Sequence, residues 1–64
     1  MKLKIEIMMD NAAFQEADDG AEAARILSEL AEDIGNGTMG ISPGASMQLR
    51  DINGNRVGEA KVTR

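Results

Sequence analysis

The side chains in this chain that could do chemistry are mostly carboxylates. Histidine, cysteine, tryptophan and tyrosine are absent, and Phe14 is the single aromatic residue. That removes the usual general base near neutral pH, the commonest metal ligand, thiolate chemistry, and the rings that stack on nucleobases or sugars. The densest acidic run, Glu16, Asp18, Asp19 and Glu22, has the donor chemistry for a cation. Carboxylates at such a place also solvate a helix face and suit the positive end of a helix dipole. The solvated face is the reading adopted, and no metal site is assigned.

Three short motifs invite a sharper reading. Gly35-Asn36-Gly37-Thr38-Met39-Gly40 matches the dinucleotide pattern, but that chemistry needs a strand before the glycines and a helix after them, so that phosphates meet the helix N-terminus. Here a helical pattern precedes and a loop follows, so no cofactor is expected. Asp51-Ile52-Asn53-Gly54-Asn55 looks like a calcium loop, yet such a loop needs glycine sixth and glutamate twelfth; Gly54 is fourth and Val62 twelfth. Asn36-Gly37-Thr38 fits a glycosylation acceptor, which has no consequence without export. Lys2, Lys4, Arg50, Lys61 and Arg64 suggest a basic sheet surface, but Glu6 and Glu59 interrupt it and the isoelectric point is about 4.5. Nucleic acid is therefore not the expected partner.

The elements that must position these groups come from a chain of 64 residues, 42% hydrophobic and 28% charged. Those proportions are ordinary for a globular domain and unlike those of disordered chains. One domain, 1–64, is expected, and at this size only roughly 60% of the unfolded chain's surface is buried on folding. Without cysteine there is no disulfide or thiolate staple, which fits a reducing cytoplasm. No window approaches a membrane span and no export signal is evident, so neither secretion nor a membrane partner is expected. The net charge of −4 is unevenly placed. Residues 10–33 carry eight carboxylates against Arg25 alone, a net −7, and the remainder carries +3.

Met1 to Met9 alternates: Leu3, Ile5, Ile7 and Met9 share one face, and Lys2, Lys4 and Glu6 the other. Period two with β-branched residues predicts a half-buried strand, ended by Asp10 and Asn11. Residues 11–20 hold Phe14, which reads as the anchor closing the open end of a helix–sheet interface, and short helical turns are not firmly assigned there. Asp18 or Asp19 can cap the next helix. From Gly20 or Ala21 to Ile34 the apolar residues Ala23, Ile26, Leu27, Leu30, Ala31 and Ile34 make one helical stripe. Gly35 or Gly37 supplies the C-terminal cap. A glycine-rich surface loop follows, in which Thr38, Met39 and Ile41 can tuck under the helix end.

The C-terminal third carries the clearest local signal. Asn53-Gly54 between two strand-like runs favours a two-residue type I′ hairpin, since both central positions need positive φ. That register sets Asp51 opposite Arg56, Leu49 opposite Gly58 and Met47 opposite Ala60, with no bulge. Met47, Leu49, Ala60 and Val62 then form the inner face, and Met8, Ile52 and Val57 lie on the outer one, an apolar group able to pair with another copy. The expected fold is α+β, in the order β-α-β-β, with one amphipathic helix on a three-stranded antiparallel sheet of order 1-3-2. The parallel alternative, order 1-2-3, needs a right-handed crossover; the antiparallel one is preferred.

The stretches Met1-Lys2-Leu3-Lys4-Ile5-Glu6-Ile7, Asp10-Asn11-Ala12-Ala13-Phe14, Ala24-Arg25-Ile26-Leu27 and Asp51-Ile52-Asn53-Gly54-Asn55-Arg56-Val57-Gly58 resemble short uncharacterised proteins encoded by bacteriophages and prophages. The resemblance implies a bacterial cytoplasm and a phage accessory role; it supplies no catalytic or binding residues. The expected function is a non-enzymatic protein-binding module, in its sharpest form an inhibitor of a host defence system. Glu22, Glu29, Glu32 and Asp33 would meet a basic surface on a larger host or phage protein. The alternative is a structural domain that self-assembles as a homodimer through its sheet.

Overall fold

The computed structural model describes residues 1–16 and 19–64, and the side chains of all of these except Glu16 and Asp19. The elements are β1 (Lys2–Ile7), α1 (Ala12–Glu16), α2 (Asp19–Gly35), β2 (Ser46–Arg50) and β3 (Arg56–Thr63). The three strands form one antiparallel sheet in the order β1-β3-β2, and α2 packs on one face of it. The fold is α+β with the expected topology. The proposed Asp18 cap lies outside the described residues.

The short helix α1 starts where Asn11 can cap it: its Oδ1 accepts the Ala13 N–H at 3.1 Å, satisfying an amide that has no partner within the helix. This single turn delivers Phe14 to the interior, where it is 0% exposed. Ile26 and Leu30 of α2, Leu49 of β2, Val57, Ala60 and Val62 of β3, and Met39 from the glycine-rich loop complete the core. Met39 tucks under the helix end as expected, whereas Thr38 and Ile41 are exposed. Helix α2 ends at Gly35, and Gly37, at φ +83°, takes the left-handed turn that follows.

Two features differ from the sequence reading. The 51–55 turn is not type I′: Gly54 has φ +86°, and among the described residues no non-glycine has positive φ. Asp51 and Gly54 instead close a four-residue turn, Gly54 N–H donating to the Asp51 carbonyl at 3.0 Å, before Asp51 N–H donates to the Asn55 carbonyl at 2.9 Å. Leu49 still faces Gly58 and Met47 still faces Ala60, but Arg50 faces Arg56. The extra residue is a β-bulge at Val57, which breaks the alternation. Val57 is thereby turned inward and buried at 5% exposure, leaving Met8 and Ile52 as the exposed members of the expected outer group.

The helical stripe is also narrower than its sequence pattern. Ile26 and Leu30 are buried, Ala23 and Ile34 half-buried, and Leu27 and Ala31 exposed. Helix α2 lies over β2 rather than β1, so Leu3 and Ile5 remain 44% and 42% exposed on the helix side of the sheet.

Candidate functional site

Among the described residues, two carboxylates are drawn into the interior, and both serve the turn between β2 and β3. Glu22, near the start of α2, is only 5% exposed. Arg25, one turn further on, grips it in bidentate fashion, with Nε to Oε1 at 2.8 Å and Nη2 to Oε2 at 3.1 Å. The Ile52 N–H donates to the same Oε2 at 2.9 Å. The guanidinium hydrogen bond, helped by the Ile52 amide, holds the Glu22 carboxyl below its ordinary value despite desolvation. The Glu22 carboxylate in turn raises the pKa of Arg25.

Asp51 is equally occupied. Its Oδ1 accepts the amides of Asn53 and Asn55, each at 2.9 Å. Its Oδ2 accepts Asn11 Nδ2 at 2.7 Å and Asn55 Nδ2 at 3.2 Å. Burial alone pushes the Asp51 carboxyl up, but these donors together hold it below its ordinary value. Asn11 therefore caps α1 with its oxygen and ties α1 to the hairpin with its nitrogen. The residues that looked like a calcium loop are a turn organised by one carboxylate.

Comparison of the chain with protein-family models, with curated proteins and with solved structures gives no match. The functional reading rests on the chain's own surfaces.

Of the four carboxylates expected to face a partner, Glu22 is not on the surface; the internal donors explain how a glutamate is buried there at all. Glu29 and Glu32 are exposed and Asp33 is half-buried. Their spacing of three and four residues places them together on one flank of α2. Glu29 and Asp33 border a shallow groove against β2, together with Met47, Gln48 and Arg50. Arg25, the one cation of α2, is committed to Glu22, to Glu29 at 3.1 Å and to the Arg50 carbonyl at 3.3 Å. Among the described residues, no hydrogen bond or ion pair engages the carboxylates of Glu32 and Asp33.

The glycine motif also resolves locally. Gly35 closes a helix rather than opening one. The Asn36 side-chain oxygen accepts both the Thr38 N–H and the Thr38 hydroxyl, at 2.9 and 2.6 Å, an Asx turn that stabilises the helix exit. Among the described residues, no three carboxylates converge as metal ligands do, and no helix is long and apolar enough to cross a membrane.

Proposed function

We propose that this protein is a non-enzymatic binding module that acts by occupying a basic surface of a larger protein. The observation that carries the reading is the α2 flank: Glu29, Glu32 and Asp33 stand together there, and the only cation of the helix, Arg25, is shared between Glu22, Glu29 and the Arg50 carbonyl, so that among the described residues Glu32 and Asp33 have no counter-ion. An acidic flank with a rigid backbone steers association and selects partners of opposite charge. The two buried carboxylates support a role without catalysis. Their lone pairs are taken by internal donors and their pKa values are lowered, the opposite of what a general acid requires.

The resemblance to phage-encoded proteins supports a bacterial host as the setting and inhibition of a host defence system as the form such occupancy takes. The test is capture from bacterial lysate by the wild-type protein and by a Glu29→Gln, Glu32→Gln, Asp33→Asn variant. The reading expects the variant to lose a basic partner that the wild type retains. Equal capture of the same protein by both would remove the acidic flank as the contact.

A further inference from the structure

The two edges of the sheet are finished differently. At the β2 edge, Arg25 reaches across from α2 to the Arg50 carbonyl, and the helix lies above the strand. Among the described residues, β1 has neither cover. Met8 N–H donates to the Val57 carbonyl at 2.7 Å, and the alternation of an antiparallel ladder then turns Lys2, Lys4 and Glu6 toward β3. The amides and carbonyls of Leu3, Ile5 and Ile7 point to the open side, and among the described residues no hydrogen bond reaches them. These are also the positions whose side chains form the apolar, incompletely covered row on the helix side, Leu3 and Ile5 being exposed and Ile7 half-buried.

We propose that β1 pairs antiparallel with β1 of a second copy about a two-fold axis at Ile5, joining two three-stranded sheets into one of six strands. The strand is complementary to itself in this register and keeps its two faces in step. On the helix side Ile5 meets Ile5 and Leu3 meets Ile7; on the other side Lys4 meets Glu6 of the second copy, twice by symmetry. The outward-facing amides fit as well. Ile5 and its counterpart form a hydrogen-bonded pair, as do both flanking Leu3–Ile7 pairs, each exchanging two backbone bonds. Sliding the strands to the neighbouring face-preserving register sets Lys4 against Lys4, and like charges directly opposite are unfavourable. Among the described residues the edge has no proline, bulge or covering loop, and Lys4, a charge of the kind that deters edge pairing, meets Glu6 of the second copy in this register. The acidic flank of α2 lies over β2, so this inference stands independently of the proposed function.

Sedimentation equilibrium from about 10 μM to about 1 mM tests it, the range in which a modest strand interface is populated. The wild type is expected to dimerise. Glu6→Lys sets lysine against Lys4 in both symmetric pairs and is expected to raise the dissociation constant about tenfold, while the Lys4→Glu, Glu6→Lys exchange restores it. Glu6 is exposed and stands opposite Glu59 in the ladder, so the lysine does not oppose folding, which circular dichroism checks. Because the chain has no cysteine, Ile5→Cys adds a single thiol whose counterpart sits within disulfide reach, at a Cα separation of about 5.5 Å in a hydrogen-bonded pair. It is expected to cross-link under mild oxidation. A strict monomer at the highest concentration, a dimer indifferent to Glu6→Lys, or an exchange variant that fails to recover would each overturn the proposal.

Discussion

The Glu22 carboxylate accepts the backbone N–H of Ile52, thirty residues along the chain, at 2.9 Å. This one bond locks the start of α2 to the tip of the β2–β3 hairpin. It works because Arg25 neutralises the same carboxylate from the other side; a buried glutamate without that partner would carry a large desolvation cost. The link also sets where the helix lies. With its N-terminal half held at the turn, α2 runs above β2 and leaves β1 uncovered.

Removing the Glu22 carboxylate should therefore act at the hairpin as well as in the helix. Glu22→Ala strands the Ile52 amide and leaves the Arg25 guanidinium with Glu29 and the Arg50 carbonyl. We expect a fall in Tm on the order of 5 °C or more for a domain of this size. Amide hydrogen exchange at Ile52 should accelerate more than at Ala60 in the centre of β3. Unchanged exchange at Ile52 would show that the turn holds itself.

Acid should destabilise the fold in a defined window. Glu22 and Asp51 both titrate below their ordinary values of 4.5 and 3.8 in the folded state. The unfolded chain therefore binds more protons than the native one as pH falls through those values, and stability declines with falling pH. The contribution is fully present above about pH 5 and is lost as each folded-state pKa is passed. Thermal melts between pH 7 and pH 3 should show this slope. Glu22→Gln and Asp51→Asn should each flatten part of it while lowering stability at neutral pH; a slope untouched by both would assign the acid sensitivity to other carboxylates.

Phe14 should be the costliest single truncation. It is fully buried among residues from α2 and the sheet, and Phe→Ala in such a site costs about 3–5 kcal/mol. A domain of 64 residues has roughly 3–10 kcal/mol in total. Phe14→Ala should thus lose between about a third and all of the domain's stability at 25 °C, read as a lowered midpoint in urea titration. Ile52→Ala, at an exposed position, should stay within about 0.5 kcal/mol of wild type.

How much of this was legible follows from which interactions are local. The alternation of β1, the stripe of α2, the Asn-Gly turn and the burial of Phe14 are carried by residues close in sequence, and each was readable. Turn type and burial of charge were not. Asp51 gathers the amides of Asn53 and Asn55 and the side chain of Asn11, and this closes the turn with only Gly54 left-handed. The resulting bulge moves Val57 to the inner face, against strict alternation. Glu22 reads as one more solvated carboxylate because helical periodicity counts it as polar, and its decisive partner, the Ile52 amide, is remote in sequence. Position along the sheet is likewise non-local: nothing in Leu3 or Ile5 says that the helix will stop short of them.

Two glycines separate conformational strain from steric exclusion. Gly54 has open space around a hypothetical Cβ but sits at φ +86°, so Gly54→Ala should cost about 1–2 kcal/mol through backbone strain alone. Gly58 has the reverse problem. It faces Leu49 on one side and Ile7 on the other, and a Cβ there would lie deep inside van der Waals contact with the Glu6 carbonyl oxygen. That obstacle is backbone and cannot rotate away. Gly58→Ala should cost about 3 kcal/mol, the upper end of the overpacking range, and relief comes only by moving β1 away from β3. Hydrogen exchange distinguishes the two variants. Gly58→Ala should expose the Lys4 and Glu6 amides while Leu49 keeps its protection, whereas Gly54→Ala should loosen Asn55 and leave β1 paired. If Gly58→Ala left Glu6 as protected as in the wild type, close approach of β1 would not be what glycine at position 58 secures.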